Sequence, residues 1–312
     1  TIENTSKLIE NSKKAELPYN DYKRKKENKF EAFPVSELQE AYLVGRENEM
    51  ELGNVTTQGY LELECTEYSH EKFLRVLERL VQRHEMLRCV VSYDGTQKFL
   101  DKVPTISIPT TDISNCSEKE KKNHLLAVRK QMIQYNLPLD KAPLIRIKVT
   151  KVSNEKVIIH VYFDAIIIDG YSYEILHREL ETLYKNEKNE LPKLDITFKD
   201  YIEYKQRLKN TEKYRKAKEY WLNRIPLLPE PATLPLLKDP KEIKIIEGEQ
   251  KICKLNADEW VNLCEKAKNR GVSTFIVLFT AFSLVIGKWN RKKKFLLNIP
   301  EFDRPNFHPD ME

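Results

Sequence analysis

A cluster of prolines divides the chain and limits what it can fold into. Five prolines fall within 15 residues: Pro226, Pro229, Pro231, Pro235 and Pro240. Proline has no backbone N–H and a fixed φ, so this segment can form neither a helix interior nor a central strand. We therefore predict an ordered connection over residues 226–247. A first lobe, 31–225, precedes it, and the start of a second lobe, 248–312, follows it.

Helical and strand patterns alternate irregularly along both parts of the chain, which predicts an α+β fold. Apolar residues at helical spacing predict helices over 36–46, 69–82, 117–135, 170–184, 256–270 and 273–289, the last more buried. Residues 198–224 form one helix or two. Strands are predicted over 59–65, 86–93, 98–103, 143–152, 156–163, 251–255 and 294–299. Asp94-Gly95 indicates a hairpin turn.

The composition excludes several function classes. The chain has 312 residues, about two domains at ~150 each, with 53 Lys and Arg against 48 Asp and Glu. A net charge of +5 is not typical of a nucleic-acid binder. Its 8 glycines form neither of the common phosphate-binding loops. The longest apolar stretch, 275–287, is too short to span a membrane. We expect neither nucleic acid nor membrane as a partner.

The cysteines and the chain ends also carry information. The five cysteines form no CxxC pair, so we expect reduced, mostly buried thiols of a cytoplasmic protein. Residues 1–30 are rich in Lys, Glu and Asn, which predicts a solvated linker, with a docking segment for a neighbouring protein as the alternative. The chain starts without Met and stops at Glu312, so we expect a piece of a longer polypeptide.

The segment Phe163-Asp-Ala-Ile-Ile-Ile-Asp-Gly-Tyr-Ser172 is the sharpest candidate for chemistry. An apolar strand ends in Asp164, and Asp169 follows an Ile-Ile-Ile run before a helix that carries Ser172. A carboxylate in such an apolar segment needs a partner. A purely structural reading is equally open: Asp169 could cap the helix, and Asp164 could end its strand in solvent.

Further motifs occur in a fixed order around this segment. They are Phe33-Pro-Val-Ser36 with Gln39, Ala41-Tyr42 and Gly45-Arg46; Arg83-His-Glu-Met-Leu-Arg88; Leu228-Pro229 through Leu236; Ser273-Thr274 to Trp289; and Phe302-Asp-Arg304 to Asp310. Over residues 33–312 this set resembles the heterocyclization domains of non-ribosomal peptide synthetases. Those domains are variants of the condensation domain and have a two-lobed fold like chloramphenicol acetyltransferase.

The resemblance implies roles for the motif residues. Ordinary condensation domains carry His-His, three residues and Asp-Gly at this strand end. Here Asp164 and Ala165 occupy the two His positions, and alanine cannot move a proton. Asp164, Asp169 and Ser172 are the candidate catalytic residues, expected to organise the site more than to transfer protons. Asp169 is expected to form a structural ion pair with Arg304 of the second lobe.

Other residues receive more ordinary interpretations. Tyr42, Gly45 and Arg46 belong to the family's first motif and are the candidate substrate-binding residues, although plain packing is equally open for Tyr42. We expect His84 to be structural and His160 to be a hydrogen-bonded core residue. The six His and five Cys show no metal-ligand spacing.

The sequence also departs from the family pattern. Asp303 stands where the family usually has Asn. The family's later motifs, including the Thr and Asp associated with dehydration, lie beyond Glu312. We therefore expect a complete N-terminal lobe, a partial C-terminal lobe and no ring formation by this piece alone.

The function implied by the resemblance has two phases. A carrier-bound Cys, Ser or Thr attacks an upstream acyl or peptidyl thioester, and the new amide then cyclises with loss of water to a thiazoline or oxazoline. Both substrates would arrive on phosphopantetheine arms of carrier domains, in a tunnel between the lobes. No cofactor bound by the domain itself is implied, and a neighbouring adenylation domain is an expected partner.

Three alternatives stay open at this stage. One is an ordinary condensation domain. Another is an acyltransferase of the same fold that uses a coenzyme A thioester, although Ala165 gives it no base. The third is a non-catalytic module that positions carrier domains.

Overall fold

The structure, a computed structural model, describes residues 29–47, 56–243, 251–290, 292–299 and 304–311. Asp303 and residues 1–28 of the expected linker or docking segment, 1–30, lie outside these residues. By its contacts the chain forms two compact units, Thr1–Leu208 with Arg304–Glu312, and Lys209–Asp303. The sequence interpretation had placed the end of the first lobe at residue 225.

A four-stranded sheet forms the centre of the first unit. Its strands are β2 (Gln58–Cys65), β5 (Thr110–Asp112), β6 (Ile145–Lys151) and β7 (Val157–Asp164), in the order β2-β7-β6-β5. β7 pairs antiparallel with β2 and β6, whereas β5 pairs parallel with β6. β7 is buried at nearly every position because it is central and has helices on both faces. Its apolar run therefore ends at Asp164 inside the unit.

A second, three-stranded sheet has the order β1-β4-β3, with β1 at Phe33–Pro34, β3 at Cys89–Val91 and β4 at Thr96–Phe99. The hairpin between β3 and β4 turns at Gly95, whose φ of 81° is accessible to glycine. Both strands are shorter than predicted. Residues Glu85–Arg88 form a short 3-10 helix instead of the start of a strand, because the Leu87 N–H bonds to the His84 carbonyl.

The helices of the first unit cover both faces of the central sheet. They are α1 (Glu37–Val44), α2 (His70–Arg83), α3 (Glu118–Ile133), α4 (Gly170–Lys185) and α5 (Phe198–Leu208). On one face, α2 and α4 pack with alternate residues of β6 and β7, for example Phe73 with Ile159. On the other face, Met132 of α3 packs with Tyr162. α1 and α3 both begin with a capping box, which fixes their first turns.

The second unit contains α6 (Glu212–Arg224), α7 (Ala257–Asn269) and α8 (Thr274–Trp289). The predicted 198–224 helix is thus two helices, α5 and α6. No residue of α8 is buried among those described, which corrects the expectation of a buried helix. α8 has the apolar sequence of a core helix, but no described element covers Phe275, Leu284 or Trp289.

Two further strand predictions in the second unit are wrong. Residues 251–255 form no strand, and 294–299 contribute only one bridge, between Leu296 and Pro231. A short β-rich sequence forms a strand only where a partner strand supplies its hydrogen bonds, and within the described ranges neither segment has one beyond that bridge. The expectation of mostly buried cysteines is also wrong. Cys89 is buried, Cys253 is exposed and the other three are intermediate.

In the described part of the chain, no single helix has the length and apolar character needed to cross a bilayer. The pair α7 and α8 meets both criteria only when taken together, across a bend of 100°.

Candidate functional site

The end of β7 places the first aspartate of the motif in the interior. Asp164 is 1% exposed, and its Oδ2 accepts a hydrogen bond from the Arg46 guanidinium, which follows the end of α1. Its Oδ1 accepts the Ile166 N–H at 3.0 Å. Burial raises the pKa of Asp164 above its usual range, while the Arg46 charge and the Ile166 N–H act in the opposite direction. Each oxygen of this carboxylate therefore accepts a hydrogen bond from the protein.

The loop between the two aspartates packs into the core. Ile166, Ile167 and Ile168 are all buried, which explains the apolar run in the motif. The backbone is fixed at its start, because the Ala165 N–H donates to the Thr57 carbonyl at 2.9 Å. Ala165 itself is half-buried and offers no titratable group.

The end of this loop holds the second aspartate at the start of α4. Asp169 is the N-cap, and its Oδ1 accepts the Ser172 N–H at 2.7 Å. Arg304 Nη2 donates to both oxygens of Asp169, at 2.9 and 3.0 Å. The same nitrogen lies 3.3 Å from Ser172 Oγ, and the guanidinium lies 4.8 Å from the centre of the Tyr171 ring. Asp169 is therefore both the cap of α4 and the ion-pair partner of Arg304.

The Arg304 side of this pair belongs to the same compact unit as Asp169, whereas the sequence interpretation placed Arg304 in the second lobe. The reason is the short segment 304–311, in which the Phe307 ring stacks on Tyr204 of α5 at 4.3 Å. In addition, Asp310 accepts the Asp195 N–H at 2.8 Å. These contacts anchor the segment that carries Arg304 against the first unit.

The three candidate substrate-binding residues have different surroundings. Arg46 is only 6% exposed and pairs with Asp164. Tyr42 is half-buried, and burial together with the charges of Asp169 and Asp164 raises the pKa of its phenol. Gly45 caps α1 with ordinary helical φ and ψ, and an alanine there would meet only ordinary contacts. The motif thus brings Arg46 into contact with Asp164 and Tyr42 close to both aspartates, while no contact explains Gly45.

The two histidines occupy structural positions. His84 Nε2 lies 2.6 Å from Glu179 Oε2, in a cluster with Arg83 that joins α2 to α4. His160 is fully buried and bonds through both ring nitrogens, to Tyr60 and to Thr150. Among the described residues, no group of three His, Cys, Asp or Glu side chains could hold a metal ion.

Sequence reasoning missed the contact of Gln39 with this site and the pairing of Gln39 with Gln97. The Gln39 amide donates to the Ile166 carbonyl at 2.8 Å and also to Gln97 at 2.9 Å. Gln39 belongs to the first motif, but the motif alone gives it no contact, and its place in the capping box of α1 is seen only in the structure. Gln97 has no local signal, because its pairing depends on the contact between β4 and α1.

The comparisons with known proteins agree with this geometry. A family model described as "Condensation domain" matches residues 29–312. The chain belongs to the condensation domain family. The chain is 32% identical over 286 residues to bacitracin synthase 1 of Bacillus licheniformis, covering 92% of this chain and 5% of that protein. It is 29% identical to phenyloxazoline synthase MbtB of Mycobacterium tuberculosis (strain ATCC 25618 / H37Rv), covering 90% of this chain and 20% of that protein.

A solved structure resembles the chain over almost its whole length. It is the cyclization-docking bidomain of the synthetase EpoB from Sorangium cellulosum, with a TM-score of 0.87 and 25% identity. The match covers 99% of this chain and 61% of that one. The predicted α+β fold of the chloramphenicol acetyltransferase type is therefore confirmed. The chain spans a small fraction of each of these curated relatives and about three-fifths of this solved relative.

Chemically, the site combines two aspartate carboxylates that are both charge-paired. Arg46 and Arg304 each pair with one aspartate. The Ser172 hydroxyl oxygen accepts from Arg304, and among the described residues no histidine is bonded to it. The arrangement is suited to holding the backbone and side chains of this loop in one position.

Proposed function

We propose that this chain is part of a heterocyclization domain of a non-ribosomal peptide synthetase. Such a domain joins a carrier-bound acyl or peptidyl thioester to a carrier-bound Cys, Ser or Thr and then closes a thiazoline or oxazoline ring. The observation that carries the proposal is the end of β7, where a buried, paired Asp164 is followed by Ala165. The similarity to a phenyloxazoline synthase and to a cyclization-docking bidomain supports it.

The first phase is acyl transfer. The free amine of the downstream aminoacyl thioester attacks the upstream thioester carbonyl, an amide C–N bond forms, and the upstream phosphopantetheine thiol leaves with a proton. With Ala165 in the loop, no side chain at this position takes the amine proton. Rate enhancement in this phase comes from tethering, because two carrier-bound reactants held together react as if intramolecular.

The second phase is cyclodehydration. The side-chain thiol or hydroxyl adds to the new amide carbonyl, and the former carbonyl oxygen leaves as water while a C=N bond forms. Asp164, Asp169 and Ser172 organise the loop at this site through Arg46 and Arg304. No bound cofactor is required, and carrier and adenylation domains are the partners that the proposal implies.

The test is reconstitution of the complete domain, read from the parent open reading frame. It needs an acyl-loaded upstream carrier and a cysteinyl-loaded downstream carrier, followed by mass spectrometry of the downstream arm. A condensed product that lacks one water relative to the linear amide supports heterocyclization. A linear amide that never dehydrates would instead make this an ordinary condensation domain. No transfer from a folded domain with verified substrates would leave only a carrier-positioning role.

A further inference from the structure

Two buried glutamines form a reciprocal amide pair beside the aspartate loop. Gln39 Nε2 donates to Gln97 Oε1 at 2.9 Å, and Gln97 Nε2 donates to Gln39 Oε1 at 3.0 Å. Both side chains are almost fully buried, and they link α1 to β4. A buried amide is costly unless its donors and acceptors are satisfied, so the other contacts of this pair determine what it holds.

The remaining groups of the pair bind backbone. Gln39 Nε2 also donates to the Ile166 carbonyl at 2.8 Å, and Gln97 Nε2 donates to the Pro34 carbonyl at 3.1 Å. Gln39 Oε1 accepts the Ser36 N–H at 2.8 Å. Because carbonyl oxygens only accept, these contacts fix the orientation of both amides. In each glutamine, both the amide nitrogen and the amide oxygen therefore form hydrogen bonds.

The Ile166 carbonyl lies in the middle of the segment that separates the two aspartates. The N–H of the same residue is held by Asp164 Oδ1. One peptide segment is thus fixed on one side by the first aspartate and on the other by Gln39. α1 reaches this loop twice, through Gln39 near its start and through Arg46 just beyond its end.

We propose that Gln39 is a positioning residue for the reaction, and that it sets the place of the Asp164–Asp169 loop through the Ile166 carbonyl. Gln97 orients the Gln39 amide but does not touch the loop. The inference rests on the proposed function only for its kinetic consequence, since loop position can be measured without activity.

The pair offers a matched comparison of variants. Gln39→Met and Gln97→Met each replace an amide side chain with an apolar side chain of similar volume, and each breaks the reciprocal pair. Only Gln39→Met frees the Ile166 carbonyl, whereas Gln97→Met frees the Pro34 carbonyl. Gln39→Glu is a third variant, since its carboxylate still accepts from Ser36 but cannot donate to Ile166 when ionised.

Two measurements in the complete domain separate positioning from stability. Hydrogen exchange of residues 164–169 should become at least about tenfold faster in Gln39→Met and stay close to wild type in Gln97→Met. At saturating carriers, kcat should fall on the order of tenfold to a hundredfold in Gln39→Met with KM unchanged, because a displacement near 1 Å is enough to lose that much rate. Gln97→Met should keep most of kcat even though both variants lower the melting temperature.

Equal losses of kcat and equal exchange in the two Met variants would overturn the inference, because both would then act through stability alone. If Gln39→Met does not fold, Gln39→Glu must show the faster exchange at a pH where its carboxyl is ionised, and unchanged exchange with the carboxyl ionised would overturn the inference as well. A wild-type domain that makes neither amide nor ring would refute the proposed function. The exchange comparison would still decide whether Gln39 positions the loop.

Discussion

The two aspartates of the motif lie five residues apart and have different surroundings. Asp164 ends a central strand, is 1% exposed and pairs with a buried Arg46. Asp169 begins a helix, its side chain is 39% exposed, and its partner Arg304 is 22% exposed. The same type of side chain thus forms a buried ion pair at one end of the loop and a partly solvated helix cap at the other. Position relative to the strand end and the helix start determines which role each carboxylate has.

The largest effect on stability is expected at the buried end. Asp164→Ala leaves the Arg46 guanidinium buried without its charge partner, which should lower the free energy of unfolding by about 3–5 kcal/mol. Denaturant titration of the chain measures this. Asp112→Ala is the matched control, since Asp112 also ends a strand of the same sheet but is largely exposed, and it should cost much less than Asp164→Ala. Equal costs for the two variants would contradict the difference in environment.

A second prediction concerns the residue before Asp164. Gly59 of β2 lies under the Phe163 ring, and a Cβ at this position would lie 2.1 Å from Phe163 Cζ. The ring is stacked on Tyr173 at 5.7 Å, so it has little room to move. Gly59→Ala should therefore destabilise the chain by about 1–3 kcal/mol through overpacking.

Gly170→Ala is the control for this prediction, because no atom lies within 4 Å of a Cβ there. It should leave the melting temperature nearly unchanged. If Gly59→Ala is equally neutral, the ring does not depend on this glycine.

The solvated end of the loop should be less costly to change. Asp169→Ala removes a helix cap and an ion pair that water partly screens, and it should cost about 1–2 kcal/mol. Asp169→Asn keeps an acceptor for the Ser172 N–H and should recover part of that loss. Thermal unfolding of both variants gives the cap and charge contributions separately. Ser117→Ala, which removes only a cap at α3, is the control. A loss for Asp169→Ala as large as that for Asp164→Ala would mean that exposure does not distinguish the two sites.

The smallest expected effect is a pH dependence of stability that comes from His160 of β7. Burial lowers the pKa of His160, and its neighbours Arg129, Lys148 and His124 act in the same direction, against Glu62. The folded state then binds this proton less readily than the unfolded state. Stability from this group is present above the unfolded pKa of about 6.5 and is lost as the pH falls below it.

Denaturant unfolding between pH 7 and 5 measures the effect. The slope from one group is at most about 1.4 kcal/mol per pH unit, and His160→Gln should flatten it. His70→Gln, at an exposed position, should not change it. A wild-type stability that stays constant over this range would show that His160 does not titrate as described.

Local sequence signals gave the architecture of the first unit but not its tertiary contacts. The caps Ser36 and Ser117 and the turn at Gly95 were predictable because each depends on residues within four positions. The Ile166–Ile168 run predicted burial correctly. The Gln39–Gln97 pair was not predictable, since it joins residues 58 positions apart.

In the second unit, the sequence patterns predict burial and strands that its described residues do not show. The apolar pattern of α8 predicts a buried helix, although none of its described residues is buried. Periodicity identifies a face that can be buried, but it does not supply the partner that buries it. The predicted strands at 251–255 and 294–299 failed for a related reason, because a strand requires a neighbour.

The central claim is that Asp164 organises the site through Arg46 and does not transfer protons. Replacing the pair together, with Arg46→Gln and Asp164→Asn, removes both charges, keeps an acceptor for the Ile166 N–H and avoids an unpaired buried charge. The measurement is ring formation by the complete domain carrying both substitutions, compared with each single substitution. The account predicts that the double variant recovers stability and forms product within about tenfold of wild type. A double variant that is as stable as wild type but slower by about 10²–10⁴, the size of a lost general acid or base, would contradict it.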